Sequence, residues 1–328
     1  MDGNEVFDNK YIRKINYLYE HNSDKPYLVG FADFISEKSY STIYVYLGDV
    51  VKFMNYAKKN PSDLTLDDYT GFLASTKSKT TSYQIVLYTA LSEFSRYLYA
   101  VQTNMRNPMQ YKKRPKFKES NQTKEKRENG YLNKKQIREY VSNVENGIGT
   151  YRTRALHETW GLRDYFIIML FLNTGMRCAA LWKLNVSNID LHNNVLRTID
   201  KGEKIQTYPL SEEMMDITMN WLSDREEKLN GKDEEALIIN KYGSRMSQGC
   251  IADIVTKYAT TIKGKRVTPH KLRATAITSV YENSGGNIYV AQQFAGHSNP
   301  KVTELYVRGQ KDKARELGAD IMSKITKV

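Results

Sequence analysis

The sequence predicts a mainly α protein, with an N-terminal helical bundle followed by an α+β domain that carries one small antiparallel sheet. Three observations predict it. Apolar residues recur at spacings of three and four through most of residues 26–111 and again after residue 131. Only residues 186–210 change to short alternating runs, parted by Asn193-Asn194 and by Lys201-Gly202-Glu203-Lys204, which are turn signals between strands. Between the two regions, residues 112–130 lose all apolar periodicity and become basic. A chain of 328 residues has room for two cores.

Residues 1–25 form a polar extension with a short helix over Tyr11–Tyr19. In the bundle of residues 26–111, Leu28, Phe31, Phe34 and Ile35 make a first apolar stripe. Ile43, Tyr46, Leu47, Val50, Val51 and Met54 make a second. Thr65 caps the third helix of this bundle, with Asp67 and Asp68 at its positive end. Thr81 or Ser82 caps the fourth, which turns Ile85, Leu91, Phe94, Leu98 and Tyr99 inward and stops at Asn107-Pro108. The second domain, residues 131–328, opens with a helix from Asn133 through Val141. An apolar helix, Tyr165–Leu172, follows and breaks at Asn173-Thr174-Gly175, and Arg177 starts the next one. After the strands come a helix over Glu212–Leu229, an apolar run Ala236–Ile239, and a helix capped by Ser247 that reaches Ile262.

Lys plus Arg number 49 against 37 for Asp plus Glu, a net charge of +12, so the expected partner is a polyanion such as nucleic acid. No run reaches the ~18 apolar residues of a spanning helix, and the acidic start is no signal peptide, so a cytoplasmic protein without membrane partners is expected. Cys178 and Cys250 have no partner spacing and read as reduced, buried thiols. The five histidines lack metal-site spacing, so no metal and no cofactor is expected, and no phosphate-binding GxxxxGK[ST] loop occurs.

The chemistry concentrates at the end of the chain. His270 and Arg273 stand three apart, on one helical face. A polar NSGGN turn and an apolar helix lead to Gly296-His297, and Tyr306 follows nine residues after His297. Guanidinium forks match phosphate oxygens, imidazoles move protons, and a phenol can be a covalent nucleophile, so this ordered set suggests phosphoryl transfer. Tyr281 and Tyr289, by contrast, read as packing residues inside apolar helices. The loop before the fourth bundle helix, with Lys77, Lys79 and Thr81, could position phosphates or be an ordinary solvated loop. In residues 111–130 eight basic side chains, among them Lys112, Lys113, Arg114 and Lys116, face three acidic ones, as in a linker that crosses a phosphate backbone or in a solubilising hinge. Arg245 lies in a loop that could also reach the polyanion. The tail, residues 311–328, spaces Ala314, Leu317, Ile321, Ile325 and Val328 as one apolar helical stripe that must be buried, either on its own catalytic domain or on a neighbouring protomer.

With Thr174-Gly175-Met176-Arg177, Lys201-Gly202, His270-x-x-Arg273, Gly296-His297 and Tyr306 together, the chain resembles the tyrosine recombinase (phage integrase) family from about Pro26 to Tyr306. The resemblance implies a helical core-binding, DNA-binding domain (26–111) and an α+β catalytic domain (131–328) closing as a clamp on double-stranded DNA with inverted-repeat core sites. It implies the simple two-domain type, without an arm-binding domain. Tyr306 would attack a phosphate and form a 3′-phosphotyrosine, with Arg177 and Arg273 on the non-bridging oxygens. Lys201, 24 residues after Arg177, would protonate the leaving 5′-oxygen. His270 would assist proton transfer, and His297 would hydrogen-bond the phosphate. Further implications are homo-oligomers on DNA (a dimer per site and a tetramer in synapsis), exchange of helix 311–328 between protomers, and an accessory bending or directionality factor. The family usually carries Glu or Asp three residues after the first arginine, where this chain has Ala180. A topoisomerase IB-like nicking-resealing enzyme and a catalytically dormant DNA-binding protein stay open as alternatives to a recombinase of a mobile element.

Overall fold

The computed structural model describes residues 3–104, 106–116, 130–200, 204–232, 234–262 and 266–307, with only the backbone given at 3–9, 151–154, 199–200, 204 and 305–307. The chain divides into two compact units, Met1–Ser120 and Asn121–Val328.

The first unit is all helical: α1 (Gly3–Glu20), α2 (Tyr27–Phe34), α3 (Tyr40–Ala57), α4 (Leu66–Ser75) and α5 (Thr81–Ala100). Its ends follow ordinary capping chemistry. Thr65 and Asp68 form a reciprocal capping box at the start of α4. Lys58, in the left-handed region at φ 51°, ends α3. The core is built on Leu28, Phe31, Leu47, Phe53, Leu91 and Phe94, all fully buried. Each such side chain contributes on the order of 1.5–3 kcal/mol by leaving water. Phe31 and Phe94 meet edge to face at 5.3 Å.

Three expectations change here. Helix α1 is longer than Tyr11–Tyr19, and it packs on α3 with Ile15 buried. The cap of α5 is Thr80, whose hydroxyl accepts the Tyr83 N–H at 3.3 Å, because the cap precedes the first helical residue. Tyr99 lies outside the buried stripe, at 54% exposure.

The second unit is α6 (Lys134–Glu145), α7 (Tyr151–Thr174), α8 (Cys178–Lys183), strands β1 (Ile189–Asp190), β2 (Val195–Asp200) and β3 (Lys204–Pro209), then α9 (Glu212–Leu229), α10 (Gln248–Lys257), α11 (Pro269–Asn283), α12 (Ile288–Ala295) and α13 (Pro300–Val307). The sheet is antiparallel in the order β1-β2-β3, with Leu196 opposite Tyr208 and Thr198 opposite Gln206. Helix α7 is the axis of this unit, and α6, α9, α10 and α11 all pack on it. It runs 24 residues, three times the apolar segment Tyr165–Leu172, because the polar first half continues the same helix. Helix α10 stops at Lys257, short of Ile262. Cys178 is half-buried and Cys250 exposed, so neither is the buried thiol expected. Burial pushes the Cys178 thiol up to about 11, which keeps it protonated. No helix of the described residues is long and apolar enough to cross a membrane.

Candidate active site

Helix α11 supplies the first two groups. Thr268 caps it by accepting the Lys271 N–H, and Pro269 fills its first turn, where a missing donor costs nothing. His270 then lies in the first turn with its rim open to solvent, and Arg273 lies one turn further, at 3% exposure. Crowding around the His270 ring, aided by the Arg273 charge, holds its pKa below the usual 6.5.

Arg273 ties two turns together. Its Nη1 donates to the Gly175 carbonyl, and its Nη2 donates to the Ala295 carbonyl at 2.8 Å and to His297 Nε2 at 2.8 Å. The first turn ends α7. Gly175 adopts φ 58°, and a Cβ there would stand 2.8 Å from Phe294 Cε1, so both conformation and space call for glycine. Thr174 fastens the same turn by donating to the Leu170 carbonyl at 2.6 Å and accepting the Met176 N–H. Arg177 follows as the exposed N-cap residue of α8, two positions from the carbonyl that Arg273 holds. Ala180 is buried at 4% exposure.

The second turn ends α12. Gly296 takes φ 62°, and a Cβ there would meet Gln206 Oε1 of β3 at 2.6 Å, so the sheet touches the Gly-His turn. His297, 6% exposed, lies between this turn and α13 and not within a helix. Its Nδ1 meets Thr303 Oγ1 at 2.9 Å, and its carbonyl accepts from Gln292 Nε2 at 2.9 Å. Tyr306 lies in the last turn of α13, three residues beyond Thr303. Lys201 falls outside the described residues, although β2 and β3 bracket it. Among the described residues no three His, Cys, Asp or Glu side chains gather as a metal site would need.

Arg273 and His297 therefore touch directly, Arg177 follows the held turn, and Tyr306 shares a helix with a partner of His297. The expected polyanion contacts fare less evenly. Lys77 and Lys79 are exposed beside the N-terminus of α5, where Thr81 is half-buried. Lys113, Arg114 and Lys116 are exposed, whereas Lys112 is half-buried and donates to Thr70 Oγ1 at 3.0 Å, with its carbonyl accepting from Tyr88. Arg245 is half-buried; its Nη1 donates to the Trp182 and Leu184 carbonyls and its Nη2 to Asn185 Oδ1, so it braces the segment after α8. Tyr289 is 65% exposed and is not a packing residue. Residues 117–129, most of the basic linker, and the tail 311–328 lie outside the described residues. Thr303 and Gln206 carry no sequence signal, since each matters only through a neighbour brought up by the fold.

The model of the phage integrase family matches residues 130–313. Tyrosine recombinase XerC of Caldanaerobacter subterraneus subsp. tengcongensis is 26% identical over 310 residues, 86% of this chain and 82% of that protein. XerC of Natranaerobius thermophilus is 32% identical over 155 residues, 45% of this chain and 52% of that protein. Among solved structures, XerH site-specific recombinase bound to a palindromic difH substrate in a post-cleavage complex aligns with TM-score 0.66 at 17% identity, covering 85% of this chain and 79% of that one. A lambda integrase dimer bound to a COC′ core site aligns with TM-score 0.59 at 15% identity, over 81% and 88% of the two chains. At those identities the structural likeness establishes the fold. The match to the family model spans more than half of the chain and includes both of the turns that Arg273 ties together. The chain belongs to the phage integrase family and is an enzyme of the tyrosine recombinase type.

Proposed function

We propose that the chain cleaves and rejoins double-stranded DNA at inverted-repeat sites through a 3′-phosphotyrosine on Tyr306, without metal or nucleotide cofactor. One observation carries the proposal. A buried guanidinium, Arg273, is held by three neutral acceptors between the turn that leads to Arg177 and the turn that leads to the helix of Tyr306. An arginine fixed in that way is preorganised for charge that develops on phosphoryl oxygens, and each such donor is commonly worth about 3–4 kcal/mol of barrier.

The roles follow. The Tyr306 hydroxyl attacks phosphorus, and His270 takes its proton; a lowered pKa keeps that imidazole neutral and ready to accept near pH 7. Arg177 and Arg273 stabilise the non-bridging oxygens, and His297 serves the same phosphate. Lys201, which lies in sequence between β2 and β3, gives a proton to the departing 5′-oxygen. The phosphodiester energy is kept in the phosphotyrosine, so resealing is the same reaction reversed. Recombination of two sites then uses a dimer on each and a tetramer in synapsis, helix 311–328 docks on the neighbouring protomer, and an accessory bending or directionality factor orders the reaction. The site belongs to a mobile element, and inverted repeats around a short spacer beside the coding region are the mark to look for. The named functions of the XerC and XerH proteins support the DNA partner and the class of reaction.

The test is a nicked substrate that traps the covalent intermediate. Wild type becomes linked to DNA, and Tyr306→Phe does not. An adduct that survives in Tyr306→Phe refutes the assignment. Lys201→Ala cripples cleavage of ordinary DNA but recovers on a 5′-bridging phosphorothiolate, whose sulfur leaves without protonation. No recovery there removes Lys201 as the acid.

A further inference from the structure

His297 touches Arg273 on one side and Thr303 on the other, and all three are buried, at 6%, 3% and 0% exposure. A guanidinium can only donate hydrogen bonds. The 2.8 Å contact from Arg273 Nη2 therefore requires an unprotonated, accepting His297 Nε2. The ring proton of the neutral imidazole then sits on Nδ1, and its partner at 2.9 Å is the Thr303 hydroxyl oxygen, which must accept. Which nitrogen of a histidine is protonated is set by the bond that the other nitrogen makes. Here the choice is made by a threonine one helical turn before Tyr306, on the same short helix, α13.

We propose that Thr303 is a positioning residue for the transesterification: its hydroxyl fixes His297 as the Nδ1–H tautomer, so that Nε2 can hold the Arg273 guanidinium in place before DNA arrives. The inference rests on the proposed role of Arg273 as a phosphate clamp. It also gives His297 a task in the free protein, aiming the arginine; to donate to the phosphate as well, the ring takes a second proton at Nε2 when Arg273 turns to the DNA. Without an acceptor at Nδ1, a buried Nδ1–H is left unsatisfied, and the imidazole is driven toward the Nε2–H form. That form turns a donor toward the donating guanidinium, so the contact breaks and the clamp loses one of its three holds. A bond to α13 lost at Thr303 also frees the helix that bears Tyr306. Partners that orient a functional histidine from behind commonly matter about 10- to 100-fold in activity where they have been removed from metal sites, and an effect of that size is expected here.

The experiment uses full-length protein labelled with ¹⁵N-histidine, whose five ring systems are few enough to resolve by long-range ¹⁵N–¹H correlation, with His297→Asn identifying the signal. Wild type free of DNA shows His297 protonated at Nδ1. Thr303→Val shifts the signal toward Nε2–H and cuts the rate of adduct formation on the nicked substrate about 10- to 100-fold at saturating DNA. Thr303→Ser restores both. An Nε2–H pattern in wild type overturns the proposal without any variant. So does a Thr303→Val protein that cleaves slowly with the tautomer unchanged, since that threonine then acts by packing alone. If wild type shows the Nδ1–H tautomer but never forms an adduct, the recombinase chemistry fails and the tautomer assignment stands.

Discussion

Among the described residues three arginines are buried in the second unit, Arg163 at 6%, Arg225 at 1% and Arg273 at 3% exposure, and the first and the last are held by different means. Arg163 meets a carboxylate. Its Nε and Nη2 donate to Asp164 Oδ1 at 3.0 and 2.9 Å, while Asp164 Oδ2 pairs with Lys257 and accepts the Tyr258 hydroxyl at 2.8 Å. Burial, with the Asp164 charge behind it, pushes the Tyr258 phenol far up, so Tyr258 stays a donor. The cluster crosslinks α7 to the end of α10. Arg273 donates to two carbonyls and an imidazole nitrogen, which fix the direction of its fork. The Asp164 cluster matches its cations with a carboxylate inside the scaffold, whereas the proposed role of Arg273 needs only that its fork be aimed.

The sharpest way to break that contrast is to remove each network and ask which property fails. Asp164→Asn leaves Arg163 and Lys257 facing a neutral amide, and removing one partner of a buried pair commonly costs about 3–5 kcal/mol. Urea unfolding of Asp164→Asn is expected to show a loss of that order. Below its melting temperature, adduct formation per folded molecule stays near wild type. A large catalytic loss with unchanged stability would put Asp164 in the reaction and erase the distinction. Arg273→Lys is the opposite case. An ammonium keeps the charge but cannot span the Gly175 carbonyl, the Ala295 carbonyl and His297 Nε2 at once. Cleavage is expected to fall about 10²–10³-fold, the range typical of losing one preorganised donor, while saturating DNA binding holds. Full activity in Arg273→Lys would mean that charge alone suffices.

The two networks differed as much in legibility. Arg273 was readable because His270, Arg273, Gly296-His297 and Tyr306 lie in one stretch at fixed intervals, and Arg177 follows a glycine break visible as Asn173-Thr174-Gly175. Asp164 pairs with Lys257 and Tyr258, more than 90 residues away, and no local pattern joins such positions. The bracing bonds of Arg245 were hidden for the same reason, since the Trp182 and Leu184 carbonyls that it reaches lie more than 60 residues away. Element types were legible from periodicity, while lengths were not. The polar first half of α7 and the whole of α1 needed packing partners to declare themselves, since isolated helices draw most of their stability from tertiary contacts.

A smaller effect is expected at the glycine that lets the sheet approach the Gly-His turn. Gly296→Ala puts a Cβ at φ 62°, which costs about 1–2 kcal/mol, and also 2.6 Å from Gln206 Oε1. The flexible amide can move, so most of the destabilisation is conformational. Combining Gly296→Ala with Gln206→Ala is expected to recover little of the lost melting temperature. Full recovery in the double variant would show that crowding, and not backbone conformation, requires glycine here.

The smallest effect concerns pH and sharpens the contrast from the Arg273 side. Crowding first and the Arg273 charge second hold the His270 pKa below 6.5. For activity, a base must be unprotonated, so the acidic limb of log cleavage rate against pH has its midpoint below 6.5. For stability the sign is as follows. As pH falls through 6.5 the unfolded chain takes up the His270 proton before the folded protein does, so folding weakens between 6.5 and the folded pKa and the loss then levels off. The two profiles can be separated. His270→Gln removes the acidic limb of the cleavage profile, and in differential titration of the two proteins it removes the matching step in stability. In Arg273→Lys the nearby charge persists, so the midpoint stays below 6.5 even as the rate collapses. A wild-type limb centred at or above 6.5 would mean that neither the crowding nor the arginine charge governs the base, and that the clamp and the base act as separate parts.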